Sequence, residues 1–140
     1  MFLLDTNVVS ELRRAAVGRA DTKVAAWFVG IDPDRAYLCS MTLREIELGI
    51  LQMERRDASQ GAVLRAWMSH RVLPEFSGRI LPMDEAVAFR CAALHLQRTR
   101  PERDAWIAAT ALVHGLTMVT RNTADFEGTG LTLLNPWLSL

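Results

Sequence analysis

Apolar residues along this chain come in two rhythms, short uninterrupted runs and longer stretches at helical spacing, and the changes between them fall on capping residues, prolines or glycines. Met1-Phe2-Leu3-Leu4 breaks abruptly at Asp5, which predicts a strand buried on both faces. Thr6 or Asn7 then opens a helix through Val8, Val9 and Leu12. After a polar loop over 13–19, Asp21 or Thr22 can cap a helix whose apolar face carries Val24, Ala25, Trp27, Phe28 and Ile31. Ala36-Tyr37-Leu38-Cys39 predicts a second strand, and Ser40-Met41-Thr42 leads into a helix bearing Ile46, Leu48, Ile50, Leu51 and Met53. A charged turn at 54–57 separates it from another amphipathic helix over 58–73, with Val63, Leu64, Trp67, Met68 and Val72 at helical spacing. These two helices read as a helical hairpin inserted between strands.

The second half continues the alternation. Arg79-Ile80-Leu81 is a short strand before Pro82, and Asp84 caps a helix through Val87, Cys91, Leu94 and Leu96. Residues 98–104 are polar and contain Pro101, which suits a first helical turn. The following helix, 105–113, is apolar nearly all round and stops at His114-Gly115. Leu116-Thr117-Met118-Val119 and Leu131-Thr132-Leu133-Leu134 are the last strands. Alternating β and α elements predict a mainly parallel sheet.

Composition narrows the class. With 140 residues, 50% hydrophobic and 23% charged, the chain is long enough for one core and short for two, so residues 1–140 are expected to form one domain. No apolar run approaches the roughly 18 to 20 residues of a membrane span, and no basic leader precedes the first strand, so a cytoplasmic protein without membrane contact is expected. The formal net charge of zero argues against holding nucleic acid by bulk charge. Lys23 is the only lysine, and the many arginines offer planar forks that suit phosphate. Cys39 and Cys91 fall inside predicted elements and read as buried free thiols. His70, His95 and His114 read as isolated residues rather than ligands.

The acids carry the chemistry. Asp5, Glu45 and Asp125 each follow a predicted strand, and parallel strands would bring them to one sheet edge, where open α/β sheets bind ligands. Asp104 joins them if its helix starts at that edge. Several carboxylates in one pocket repel one another unless something positive compensates. Hard oxygen ligands without a thiolate or imidazole cluster favour Mg2+, with Mn2+ as a substitute. Each acid also has a structural reading. Asp5 could sit near a helix N-terminus, Thr42-Leu43-Arg44-Glu45 is also a capping box, Asp104 could complement the helix dipole, and Asp125 or Asn122 could cap a turn.

Four ordered stretches carry a resemblance. Leu4-Asp5-Thr6-Asn7-Val8-Val9-Ser10, Thr42-Leu43-Arg44-Glu45-Ile46-Glu47-Leu48-Gly49, Asp104-Ala105-Trp106-Ile107-Ala108-Ala109-Thr110-Ala111 and Thr120-Arg121-Asn122-Thr123-Ala124-Asp125-Phe126 resemble the motifs of PIN-domain ribonucleases. The closing Asn135-Pro136-Trp137 is similar to the FitB-like branch of VapC toxins. The resemblance implies a three-layer α/β/α sandwich and a Mg2+-dependent endoribonuclease that serves as the toxin of a type II toxin–antitoxin pair. It implies that Asp5, Glu45, Asp104 and Asp125 are catalytic and metal-binding, with Asp5 and Asp104 as direct ligands and Asn122 or Asp125 as the fourth. It further implies a VapB/FitA-like antitoxin gripped by the hairpin, an RNA substrate, DNA contact only through the antitoxin, and a homodimer. Residues 98–103 depart from the family pattern by being strongly polar, and the default reading is a solvated loop.

Other classes fit less well. A haloacid-dehalogenase-like phosphatase wants an acid where Asn7 stands, and both it and a phosphoreceiver domain need a lysine near the site. Dinucleotide binding lacks its glycine pattern. The remaining rival is a PIN-like domain that binds RNA or protein without cutting.

Overall fold

The apolar run after Met1 forms β1 (Phe2–Leu4) and sits at the centre of a five-stranded sheet. In the computed structural model, which describes residues 1–138, β1 lies between β2 (Ala36–Cys39) and β4 (Thr117–Val119). β3 (Ile80–Leu81) adds outside β2 and β5 (Leu133–Leu134) outside β4. Every pairing is parallel, so the sheet is parallel throughout rather than mainly so.

Period-two alternation along these strands divides the core between two faces. Leu3, Cys39 and Met118 point to one side and meet Val87, Cys91 and Leu94 of α6 (Glu85–Gln97) and the small residues of α7 (Glu102–His114). Leu4, Leu38 and Val119 point to the other, against Val8 and Val9 of α1 (Thr6–Ala15) and Ile46 and Ile50 of α3 (Ser40–Arg56). Trp27 and Phe28 of α2 (Thr22–Val29) pack on that same face. This is the three-layer α/β/α arrangement. α7 is apolar nearly all round because it is buried against sheet and α6 alike, and it ends where Gly115 adopts φ 64°, a left-handed conformation that costs other residues more.

The hairpin is present. α3 and α4 (Ala58–Trp67) are joined through Asp57, whose carboxylate accepts from the Gln60 amide and caps α4. Arg65 ties the pair together, donating to both oxygens of Glu47 at 2.6 and 2.8 Å and to Glu54 at 3.0 and 3.3 Å. Expected continuous to residue 73, the second helix instead ends at Trp67. It widens into a π turn over Met68–Val72, followed by the single turn α5 (Leu73–Glu75). Pro74 has no N–H to donate to the carbonyl four residues back, and a regular ladder cannot pass it intact.

Candidate active site

Parallel strands end together, and three strand ends supply the floor of the site. The β1 end gives Asp5, which is only 1% exposed. Its amide donates to the Val119 carbonyl at 2.9 Å, which fixes it to β4. One carboxylate oxygen accepts from the Thr6 amide at 2.7 Å as the N-cap of α1, and the other accepts from the Thr120 hydroxyl at 2.8 Å. Asp5 is therefore a cap, but its partners also aim it across the sheet edge.

Glu45 comes from α3, the helix that leaves β2. The capping-box alternative does not hold: α3 begins at Ser40 with Cys39 as its cap, and the buried Thr42 hydroxyl has no hydrogen-bond partner among the described residues. Glu45 lies one turn further in, and its Oε1 instead accepts from the Thr6 hydroxyl at 2.7 Å. Asp104, in the first turn of α7 and buried, faces the same edge.

A residue outside the predicted acids joins these three. Arg103 donates from Nε to Glu45 Oε2 at 2.6 Å, from Nη1 to Asp104 Oδ1 at 2.7 Å, and from Nη2 to Asp5 Oδ1. Carboxylates from three elements thus meet around one guanidinium. Burial works against the charged arginine, but the hydrogen bond to Glu45 and the charge of Asp5 outweigh it and hold its pKa above the usual range. Asp104 moves the other way from an ordinary salt-bridged acid. Burial pushes its pKa up, Arg103 only partly offsets this, and the charges of Asp125 and Asp5 push it further.

Residues 98–103 are a solvated loop only in part: Arg98, Thr99, Pro101 and Glu102 are exposed, while Arg100 and Arg103 turn inward. Arg103 is about one-third exposed and Arg100 only 7%, and the Arg100 guanidinium nitrogens have no partner among the described residues. The sequence signal for Arg103 was the run of arginines just ahead of Asp104, but its three partners are distant in the chain or require the folded edge.

Asp125 stands on a short 3-10 turn, Thr123–Phe126, and is exposed. Among the described residues neither its carboxylate nor the Asn122 side chain makes a hydrogen bond. The Asn122 amide donates to the Thr120 hydroxyl at 3.0 Å, so the turn is anchored to the residue that holds Asp5. Asp125 stands outside the cluster that Arg103 joins, and only its charge acts on Asp104, helping to push that pKa up.

The donor set is three carboxylates with hydroxyl and amide support, and it already surrounds a cation. That fits a hard divalent ion, which prefers oxygen ligands. A second group of donors lies apart from this set. Cys91 and His95, one turn apart on α6, and Glu102 bring Sγ, a ring nitrogen and a carboxylate oxygen within 4.8 Å of one another. His95 is therefore not isolated. Both cysteines are buried and free as expected, and burial pushes the Cys91 thiol pKa up, with Glu102 adding to the shift.

The family model described as PIN domain matches residues 2–130. The chain is 35% identical to the VapC ribonuclease Y4jK of Sinorhizobium fredii, with 98% of each chain covered. It is 36% identical to Toxin FitB of Neisseria gonorrhoeae, covering 98% of this chain and 99% of the relative. Among solved structures, it matches a chain of FitAB bound to an IR36 DNA fragment with TM-score 0.88 at 35% identity, covering 100% of this chain and 98% of that one. FitAcB from Neisseria gonorrhoeae gives TM-score 0.86 at 36% identity, covering 98% and 99%.

Proposed function

The chain belongs to the PIN-domain family, and from that premise we propose that it is a Mg2+-dependent endoribonuclease acting as the toxin of a VapBC-type pair. The observation that carries this reading is the convergence of Asp5, Glu45 and Asp104 from three separate elements on one cation. Asp5 and Asp104 would hold Mg2+ or Mn2+ directly, and Asp125 or Asn122 would complete the shell through water. A divalent ion bound there supplies Lewis-acid polarisation of a phosphoryl oxygen and a more acidic water.

The chain's own residues do the rest. Thr120 and the Thr6 amide fix both oxygens of Asp5, so the ligand does not reorganise during the reaction. Glu45 would accept the proton of the attacking water as that water adds to phosphorus and the P–O bond to the leaving ribose oxygen breaks, that oxygen taking its proton from solvent, with the Thr6 hydroxyl keeping the Glu45 carboxylate aimed at the edge. The catalytic set is thus Asp5, Glu45, Asp104 and Asp125, in a single unit over residues 1–140 whose last two residues lie outside the described structure.

Solved relatives named for FitAB and for a toxin–antitoxin complex support an antitoxin partner. A groove of about 200 Å³ beside the hairpin, lined by Val9, Leu12, Phe28, Trp67, Val72 and Phe76, suits an apolar segment of such a partner. DNA contact would come through the antitoxin, the working form would be a homodimer, and its place the cytoplasm. One observation favours the rival, a PIN-like domain that binds RNA or protein without cutting: the cation among the acids is the chain's own arginine.

The test is incubation of antitoxin-free protein with total RNA and Mg2+, beside an EDTA control and Asp104→Asn. Metal-dependent cleavage that disappears in the variant is expected. Equal cleavage by the variant, or none by folded, metal-loaded protein, would overturn the nuclease assignment.

A further inference from the structure

Arg103 immediately precedes Asp104 in the first turn of α7, so the backbone that positions the acid also positions the arginine. Each of its three nitrogens engages a different carboxylate: Nε takes Glu45, Nη1 takes Asp104, and Nη2 takes Asp5 and reaches the Thr6 hydroxyl at 3.4 Å. The rigid fork accounts for this fit, since a lysine ammonium is a single point charge on a flexible stem. The oxygens engaged, Asp5 Oδ1, Asp104 Oδ1 and Glu45 Oε2, belong to the carboxylates assigned to the metal and its water. A dication and a guanidinium repel, and they compete for the lone pairs of those carboxylates. One positive charge also leaves three carboxylates under-neutralised, so a divalent ion is the stronger partner once it arrives. With about a third of its side chain exposed, Arg103 has a path outward.

We propose that Arg103 is a competitor of the divalent ion built into this chain, holding the acids together in the metal-free protein and having to withdraw before the metal binds. The inference rests on the metal-site reading above. Arg103 sets how tightly the ion is held, and the metal-free fold depends on it for charge compensation.

Mn2+ binding to the full chain, followed by electron paramagnetic resonance of the free ion or by calorimetry, tests this without reference to cleavage. Arg103→Ala should bind Mn2+ at least about tenfold more tightly than the unsubstituted chain, equivalent to about 1.4 kcal/mol, and should melt at a lower temperature in EDTA. Arg103→Lys should fall between the two. Asp5→Asn should lose the ion in both backgrounds, which locates it at the acids. Equal or weaker Mn2+ binding by folded Arg103→Ala, beside clear binding by the unsubstituted chain, would overturn the competition and leave the metal site standing. Absence of Mn2+ binding in both would overturn the metal-site reading and this inference with it. If Arg103→Ala does not fold without metal, Arg103→Lys decides alone: tighter binding than the unsubstituted chain supports the competition, and unchanged or weaker binding ends it.

Discussion

Thr120 donates its hydroxyl proton to Asp5 across 115 positions of sequence, at 2.8 Å and in full burial. The bond joins the ends of β1 and β4 and leaves Asp5 with both oxygens engaged. Thr120→Val keeps the shape but strands a buried carboxylate oxygen and removes the acceptor of the Asn122 amide. An unsatisfied buried polar group costs about 1–3 kcal/mol, and more when charged. Chemical denaturation should show a loss of that size, with Thr120→Ser close to the unsubstituted chain. A valine variant of unchanged stability would mean that Asp5 does not depend on this bond.

Gly61 and Gly49 should respond to alanine with opposite signs. Both lie in helices of the hairpin. A Cβ at Gly61 would meet the Glu54 backbone, with Cα at 2.5 Å and N at 2.8 Å, whereas one at Gly49 meets nothing within 4 Å. Alanine gains up to about 1 kcal/mol of helix propensity over glycine, while overpacking against a backbone costs about 1–3 kcal/mol. Gly49→Ala should therefore raise the denaturation midpoint and Gly61→Ala lower it. A stabilised Gly61→Ala would show that α4 can move away from α3 at little cost.

What the sequence disclosed follows the range of the interactions. The break at Asp5, the caps at Asp21 and Asp84 and the stop at Gly115 are local, and each stands where the pattern places it. Alternating elements implied parallel strands, and parallel strands share an edge, which placed Asp5, Glu45 and Asp125 there and Asp104 only if its helix began at that edge; it is Asp104, not Asp125, that meets Asp5 and Glu45 around Arg103. Arg103 was not legible because its partners Glu45 and Asp5 lie 58 and 98 positions away. Polar residues beside a helix start look solvated until the tertiary fold supplies acids. The π turn escaped because Met68, Val72 and Phe76 keep a spacing of four, which a regular helix also presents. Cys91 and His95 do share a helix face at i and i+4, but Glu102 joins them only through the packing of α7 on α6.

Acid should loosen the hairpin. The hydrogen bond from Arg65 holds the Glu47 pKa below its ordinary 4.5, and those from Gln60 and Ser59 hold Asp57 below 3.8. Both groups bind protons less readily when folded, so their contribution is complete above those ordinary values and fades as pH falls through the lower folded ones. Asp57 is exposed and Glu47 half-buried with its side chain 38% exposed, so solvent screening keeps the effect small. Glu47→Gln should melt below the unsubstituted chain at neutral pH, and the gap should close on acidification. A gap that does not change with pH would remove the ion pair from the account.

Asp104 should behave in the opposite sense. Burial, together with the charges of Asp125 and Asp5, raises its pKa above 3.8 despite the bond from Arg103. The folded chain then holds the Asp104 proton more tightly than the unfolded one does. Its contribution to stability is present below 3.8 and is lost as pH rises through the folded value, so at neutrality the ionised side chain opposes folding. Asp104→Asn removes that charge. In EDTA at neutral pH the variant should melt at or above the temperature of the unsubstituted chain, and any advantage should vanish below 3.8. Adding Mg2+ should reverse the order if Asp104 holds the ion, because only the unsubstituted chain gains from binding. A variant less stable than the unsubstituted chain at neutral pH in EDTA would mean that the pairing with Arg103 outweighs burial, and that the acid serves the fold before it serves the ion.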